Sequence, residues 1–317
     1  MAALASPLAR LLVPLDGSSL AETVLPAVQR LAALFHSHVT LLHILEQNPP
    51  ATIHGDRHLT DAAGASAYLE DVAARLRVAG VDVETHAHTA REGDVARSIV
   101  AHADEGQVDC TVLCTHGGGG LRGFLFGRIA QQVLRHGRRP VLLIPPPADG
   151  QPPSFALRRL LAPLDGSHAH EPALPLATDL ACAAGAQLHL VLVAPTLGTL
   201  AGPRAVSGMF LPTTMRALLD MAEEGAMDYL ERAMRHCTDA GLTVSAEVAR
   251  GDPVTVVREV AERLDADLIV MATHGRAGLD AWLSGSVAPR VAGRVARPVL
   301  LVRAEADDES GGNVKTS

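Results

Sequence analysis

The sequence contains the same pattern twice. The segment LLVPLDGS at residues 11–18 returns as LLAPLDGS at residues 160–167, an offset of 149 residues. Later matches lie 158 residues apart, for example THG at 115–117 with THG at 273–275, and RPVLL at 139–143 with RPVLL at 297–301. A repeat of this length indicates a duplicated domain, so we expect two units of one fold. The larger offset means that the second copy carries extra residues, nine in net terms, which we place in residues 195–212.

The segment between the copies is rich in proline. Residues 145–153 read PPPADGQPP, a composition that extends neither a strand nor a helix and is typical of a short linker. We therefore predict one domain at residues 1–148, a linker at 149–156 and a second domain at 157–305. The polar, glycine-containing tail at 306–317 is predicted to be disordered.

Within each copy, short β-type runs alternate with segments of helical periodicity. In the first copy we predict strands at 11–15, 39–45, 81–88, 110–115 and 141–144, and helices at 21–34, 65–79, 94–103 and 129–136. The second copy repeats the strands near Leu161, Leu188, Thr243, Leu268 and Val299. Strands that alternate with helices indicate βαβ units and a parallel sheet covered on both faces. The predicted fold class is α/β, with two tandem Rossmann-like domains, each a doubly wound sheet of five parallel strands.

Charge and composition exclude several classes of partner. The 317 residues include 27 Lys and Arg against 35 Asp and Glu, a formal charge of −8, and only five Phe, two Tyr and one Trp. An acidic chain with few stacking residues is unsuited to nucleic acid, and its charge disfavours anionic lipid. No apolar run reaches the length that spans a bilayer, and the N-terminal segment lacks the basic region of a signal peptide. Four cysteines without CxxC spacing favour the reducing cytoplasm.

The residues that follow strands one and four are the candidates for a binding site. Doubly wound sheets bind ligands outside the carboxyl ends of their strands, where the strand order reverses. In the second copy Gly275 and Gly285 allow backbone N–H groups to approach a ligand, and Ser286 precedes a predicted helix whose N-terminus attracts phosphate. Asp165, after strand one, is placed to accept hydrogen bonds from a ribose or an adenine amino group. The alternative is structural: the glycines, including Gly278, shape a turn, and Asp165 and Ser286 cap helices.

These two motifs together resemble the universal stress proteins. The resemblance rests on Pro-x-Asp-Gly-Ser after strand one and on Thr-His-Gly, nine residues and Gly-Ser after strand four, and it covers residues 8–145 and 157–304. ATP-binding members carry Gly-x2-Gly-x9-Gly-(Ser/Thr), and the second copy fits this pattern except that Ala272 replaces the first glycine. The resemblance implies domains like the adenine nucleotide alpha hydrolases and ATP, with or without Mg²⁺, at the second copy. The implied contacts there are Pro163, Leu164, Asp165, Val193, Met271, Ala272, His274, Gly275, Arg276, Gly278, Gly285, Ser286 and Val287.

The first copy departs further from the family pattern. Cys114 stands at the first glycine, Gly117 and Gly127 are kept, and Arg128 replaces the Ser or Thr. Because a cation at a helix N-terminus is disfavoured by the helix dipole, Arg128 should have an anionic partner, either a nucleotide phosphate or a carboxylate that fills an empty site. We favour a working nucleotide site, whose implied contacts are Pro14, Leu15, Asp16, Ile44, Cys114, Gly117, Gly127, Arg128 and Ile129.

Three other patterns in the sequence are candidate sites. Four glycines at 117–120 suit either a phosphate-side lid or a tolerant loop. The His-x-His pairs at 36/38, 86/88 and 168/170 would share one face of a strand, but no third ligand follows at a fixed spacing, so we predict no metal site. Cys110 and Cys114 are expected to pack as small buried hydrophobic residues.

An enzyme is the main rival class. The chain lacks a P-loop lysine motif, a Gly-x-Gly-x-x-Gly turn and the Ser-Gly-Gly-x-Asp-Ser loop of ATP pyrophosphatases, and His116 and His274 are the remaining acid or base candidates. A third class is a ligand-free interaction module, in which the Val- and Leu-rich strands at 141–144 and 299–302 pair the two copies. We predict an ATP-binding sensor of stress with no catalytic residue, cytoplasmic and homodimeric, with an unidentified protein partner. A slow ATPase and the ligand-free dimeric module remain the alternatives.

Overall fold

The computed structural model describes residues 6–46, 52–89, 94–115, 127–147, 154–166, 172–194, 196, 212–273 and 287–304. The first copy contains strands β1 (Arg10–Pro14), β2 (His38–Leu45), β3 (Thr52–Ile53), β4 (Asp56–Arg57), β5 (Asp82–Thr89), β6 (Cys110–Cys114) and β7 (Val141–Ile144). Its helices are α1 (Leu25–Phe35), α2 (Ala62–Val78), α3 (Val95–Glu105) and α4 (Arg128–His136). The second copy contains β8 (Arg159–Leu164), β9 (Gln187–Ala194), β10 (Val244–Arg250), β11 (Leu268–Thr273) and β12 (Val299–Arg303). Its helices are α5 (Ala173–Ala184), α6 (Pro212–Asp239), α7 (Pro253–Arg263) and α8 (Val287–Ala292).

Both copies contribute to one ten-stranded sheet. Its order is β10-β9-β8-β11-β12-β7-β6-β1-β2-β5, and β3 and β4 form a separate two-stranded sheet. Neighbours within each copy are parallel, whereas β7 and β12 pair antiparallel, with Leu142 opposite Leu300. The predicted α/β fold class is confirmed, as is the predicted pairing of the two copies through their fifth strands.

Helices cover both faces of the sheet. One buried cluster packs α1, α2, α5 and α6 against the sheet, with Leu31, Leu69, Leu180 and Leu230 among its members. The opposite cluster packs α3, α4, α7 and α8 through residues such as Ile99, Val133, Val257 and Val291. Strand residues alternate between the clusters, because successive side chains of a strand point to opposite faces. The long apolar strands therefore reflect burial on both sides.

The extra residues of the second copy are distributed differently from our prediction. In the paired strands the offset is 149 residues between Val39 and Leu188 but 161 between Val83 and Val244, and it returns to 158 only after β10. All the added residues thus lie between β9 and β10. Helix α6 has 28 residues where α2 has 17, so much of the insertion lengthens this helix rather than the segment before Pro212.

Candidate functional site

The strand order reverses beside β1 in the first copy, where β1 lies between β2 and β6. A cavity of about 520 Å³ opens at this point. Its lining includes eight of the nine residues predicted for this copy, namely Pro14, Leu15, Asp16, Ile44, Cys114, Gly127, Arg128 and Ile129. Gly117, the ninth, lies outside the described residues, as do His116 and the other glycines at 118–120. The predicted residues thus border one cleft of the size that small-molecule ligands occupy.

Helix α4 begins at this cleft. Gly127 is its N-cap residue, and Gly127 supplies no side chain to cap the free backbone N–H groups of the first turn. The guanidinium of Arg128 is exposed beside them and lines the cavity. Within the described part of the chain, no carboxylate lies within ion-pair distance of this guanidinium. The carboxylate alternative for Arg128 therefore has no candidate among the described residues.

Asp16 is held in place by its own loop. One carboxylate oxygen accepts hydrogen bonds from the Ser18 backbone N–H (2.9 Å) and from the Ser18 hydroxyl (2.6 Å). Ser18 Oγ in turn accepts from the Ala21 N–H at 3.1 Å, at the start of a 3-10 turn over Ala21–Val24. The other carboxylate oxygen lies 3.4 Å from His54 Nε2. Asp16 thus shapes the loop after β1, and its predicted contact with a nucleotide stays a prediction.

The hairpin formed by β3 and β4 was missed by the sequence analysis. His54 and Gly55 form its turn with φ of 51° and 90°, the conformation of a two-residue hairpin turn. Asp56 accepts hydrogen bonds from the Ser19 N–H (2.8 Å) and hydroxyl (3.0 Å), which docks the hairpin onto the loop after β1. The sequence indicates this hairpin only weakly. Its one signal is the pair His54-Gly55, which lies between Thr52-Ile53 and Asp56-Arg57.

His43 on β2 is a second residue that the sequence analysis did not single out. Its side chain is buried, and its Nδ1 donates to the Leu15 carbonyl oxygen at 2.7 Å. Burial lowers the pKa of His43, and the nearby His58 lowers it further. The ring is therefore neutral at pH 7, and its hydrogen bond to the Leu15 carbonyl places the proton on Nδ1. Both histidines border the cleft.

The corresponding crevice of the second copy lies beside β8. Pro163, Leu164, Asp165, Val193, Met271, Ala272 and Val287 line a cavity of about 110 Å³ there. Asp165 and Val193 also border a cavity of about 310 Å³ beside α6, together with Tyr229 and Arg232. The described residues predicted for this copy are thus brought together. The other contacts predicted for this copy, His274, Gly275, Arg276, Gly278, Gly285 and Ser286, lie outside the described part of the chain, and they include all the predicted phosphate contacts except Val287.

The His-x-His pairs do not behave alike. His36 and His38 do not share a strand, because His36 ends α1 with a left-handed backbone (φ 52°) and only His38 belongs to β2. His86 and His88 lie on the edge strand β5, and their ring centroids are 6.4 and 4.8 Å from that of His102 on α3. His168 and His170 are not among the described residues. Where side chains are described, no three His, Cys, Asp or Glu residues converge as metal ligands would.

The cysteines differ in their surroundings. Cys110 is buried, as predicted, and its burial raises the pKa of the thiol to about 12, so it is not a nucleophile at neutral pH. Cys114 is half-buried at the cleft, and the Thr23 hydroxyl lies 3.6 Å from its sulfur.

None of the described helices combines the length and the apolar character needed to cross a bilayer.

Comparison with known proteins gives a consistent result. The profile of the Universal stress protein family matches twice, at residues 8–145 and 156–303. A universal stress protein of Mycolicibacterium smegmatis is 28% identical over 299 residues, which cover 92% of this chain and 96% of that protein. One from Methanocaldococcus jannaschii is 28% identical over 146 residues, 46% of this chain and 82% of the relative. The crystal structure of a universal stress protein from Archaeoglobus fulgidus has the same fold, with a TM-score of 0.66 at 19% identity, covering 95% of this chain and 99% of that one.

Proposed function

Because this chain belongs to the universal stress protein family, in a tandem form with one family domain in each half, we propose that it is an ATP-binding sensor. In this proposal each copy binds ATP, with or without Mg²⁺, in the crevice beside its first strand. In this proposal the function is binding rather than turnover, because the one hydroxyl described above on a cleft carboxylate, that of Ser18 on Asp16, is buried and does not line the cavity.

The observation that carries the proposal is the surroundings of Arg128. A guanidinium exposed at a helix N-terminus opposes the helix dipole, and no described carboxylate pairs with it. An anion bound at this point would satisfy both the guanidinium and the free N–H groups of the first turn of α4. A phosphate is the anion that fits this donor set best, since guanidinium and backbone N–H groups are its usual partners.

The remainder of the cleft suits a nucleoside. Apolar side chains from the loop after β1, from β2 and from α3, namely Leu15, Ile44 and Ile99, line the cavity beside polar groups at Asp16 and His54. A largely apolar cavity with a few polar groups is the usual environment of a purine and its ribose. Because the whole chain carries a formal charge of −8, a polyanion must be attracted locally, and Arg128 at α4 provides that local charge.

For the second copy the proposal rests on the described residues of its crevice. Asp165 and Val193 border the crevice with Met271 and Ala272, at the end where an adenosine is implied by the family resemblance. The phosphate end is assigned to Gly275, Gly285 and Ser286 by their sequence pattern alone. In this proposal, ATP bound here changes a surface that a protein partner recognises. We further propose that this sensing takes place in the cytoplasm and that the chain forms homo-oligomers.

The first test is calorimetric titration of ATP into the full chain and its Arg128→Ser variant. If Arg128 contacts phosphate, its loss is expected to weaken binding at the first copy about tenfold, the effect of losing one charge-assisted hydrogen bond. Arg135→Ser is the matched control, because Arg135 is exposed at the opposite end of the same helix. Equal affinities for all three proteins would refute the phosphate contact.

A second test examines the second copy and the nature of the ligand. In the double variant Asp165→Ala and Gly275→Ala, ATP affinity at the second copy is expected to fall. Mass spectrometry of the small molecules released from the denatured purified protein would identify what the chain retains. Absence of any nucleotide, together with no calorimetric signal, would favour the ligand-free interaction module. Turnover that disappears in His274→Ala would favour the slow ATPase.

A further inference from the structure

The β3–β4 hairpin forms one wall of the cleft in the first copy. Ile53 and His54 from the hairpin, and His58 just after it, line the same cavity as Arg128. The side chain of His54 is mostly covered, at 18% exposure, although it is at the tip of the hairpin. A ligand in this cleft would therefore lie between the hairpin and the ends of the main strands.

Three contacts to the loop after β1 help to hold this wall in place. Asp56 accepts two hydrogen bonds from Ser19, and these bonds lower the pKa of its carboxyl group, the backbone bond more than the hydroxyl bond. The His54 ring lies 3.4 Å from the Asp16 carboxylate. Leu59 packs so closely on Gly17 that a Cβ at that position would lie 2.8 Å from Leu59 Cδ1. All three contacts are made to the short loop that follows β1.

The hairpin has no pairing with the main sheet. Its two strands have two residues each and hydrogen-bond with each other, outside the ten-stranded sheet. A two-stranded hairpin is marginally stable on its own, so its docked position depends on the contacts to the β1 loop. It can undock while the rest of the domain stays folded, once its contacts to the β1 loop and the packing of the buried His58 are broken.

We infer that this hairpin is a latched wall that retains nucleotide in the first copy, with Asp56 and Ser19 as positioning residues. The inference rests on the proposed function of this cleft. Neither Asp56 nor Ser19 is among the described residues that line the cavity, so they act on the ligand only through the position of His54 and Ile53. Release of the nucleotide then requires the Asp56–Ser19 and His54–Asp16 contacts to open first.

The test measures release of a fluorescent ATP analogue, mant-ATP, by stopped-flow displacement with excess ATP. The parent is the full chain carrying Asp165→Ala, so that the first copy dominates the signal. Adding Asp56→Ala is expected to raise the dissociation rate about fivefold or more, and Ser19→Ala, which keeps the backbone bond, to raise it less. Asp71→Ala is the control, because it removes another exposed aspartate, one that pairs with Arg75 on its own helix. An Asp56→Ala rate equal to that of Asp71→Ala would overturn the inference.

A second measurement separates the latch from the proposed function. Without nucleotide, amide hydrogen exchange over residues 52–59 is expected to be faster in Asp56→Ala than in Asp71→Ala, while the thermal midpoints of the two variants agree. Unchanged exchange would overturn the latch directly. If the parent fails to bind mant-ATP but the exchange differs as expected, the nucleotide function of this copy is wrong and the wall retains no nucleotide.

Discussion

Two histidines on β2 respond to their surroundings in opposite ways. His43 is buried, and burial lowers its pKa from the ordinary value near 6.5, although the Leu15 carbonyl opposes this shift. His38 is partly exposed, and its hydrogen bond to Asp82 at 2.8 Å raises its pKa against a smaller effect of burial, with Glu84 contributing further. One strand therefore carries two titrating groups whose effects on stability have opposite sign.

Replacing His43 with leucine should make the protein less sensitive to acid. Between the lowered pKa of His43 and about 6.5, the unfolded chain binds a proton that the folded chain excludes, so the free energy of unfolding falls as the pH drops. This loss is at most about 1.4 kcal/mol per pH unit and is absent in His43→Leu. Leucine is the residue at the equivalent position of the second copy, Leu192. Urea titrations at pH 7.5 and 5.0 test this, and parallel losses in both proteins would contradict it.

His38→Gln should show the reverse dependence. Because the folded-state pKa of His38 is raised, its contribution is fully present below about 6.5 and disappears as the pH rises through the raised value. The variant is therefore expected to be less stable than the parent at pH 5.5 and equal to it at pH 8.5. A difference between the two proteins that does not change with pH would mean that the Asp82 contact has no electrostatic effect on folding.

At the scale of elements, the end of β12 is joined to the end of α4. The Arg303 side chain of the second copy donates hydrogen bonds to the carbonyl oxygens of Leu134 (2.7 Å), Arg135 (3.1 Å) and Gly137 (3.0 Å from Nε) in the first. The carbonyl groups at a helix C-terminus lack partners within the helix and attract cations. Arg303 is half-buried at this contact, and its burial lowers the pKa of the guanidinium.

Arg303→Met should therefore loosen the joint between the copies. Methionine keeps an apolar stem but leaves several half-buried carbonyl groups without a donor, so we expect a loss of about 2 kcal/mol in unfolding free energy. Arg297→Met is the comparison, because Arg297 pairs with Asp265 inside the second copy. Denaturant unfolding of both variants checks this, and equal effects would mean that the bonds to α4 add nothing specific.

Periodicity predicted the elements that belong to the large sheet, and it failed where periodicity was absent. Strands such as β2 and β6 are long or largely apolar, so each was predicted to within one or two residues. The two-residue strands β3 and β4 are too short to show any alternation. The start of α6 was not predicted, because it follows a segment rich in glycine and proline. Pro212 suggests the end of an element in the sequence, although proline is well suited to the first turn of a helix.

The candidate site was predicted as a set of positions, but its internal contacts were not. Asp16 and Arg128 follow from the fold, because the residues after strands one and four of a doubly wound sheet must meet at one edge. The engagement of Asp16 by Ser18 and His54 depends on side-chain distances that no spacing in the sequence specifies. The hairpin contact is also non-local, since it joins Ser19 to Asp56 across 37 residues.

At the scale of the whole molecule, the antiparallel pair β7–β12 makes one sheet of two domains. In this pairing each copy covers the apolar edge strand of the other. The edge strands of the combined sheet are then β5 and β10, which carry charged and histidine side chains such as Glu84, His86 and Glu247. Polar edges of this kind resist further strand pairing. We therefore expect any homo-oligomer of the full chain to form through surfaces other than β7 and β12.

Separating the two copies should leave β7 and β12 as unpaired, apolar edge strands. Residues 1–148 alone would expose β7 and residues 157–305 alone would expose β12, so each is expected to self-associate by pairing these edges. When the two halves are mixed, we expect them to form a one-to-one complex, because only the pairing of β7 with β12 restores the hydrogen bonds from Arg303 to α4. The first copy cannot make these bonds with itself, since its position equivalent to Arg303 is Pro145, which has no donor. Light scattering after size-exclusion chromatography of each half, the mixture and the mixture with Arg303→Met checks this. Halves that stay monomeric when mixed would show that the linker, rather than the paired strands, holds the two domains together.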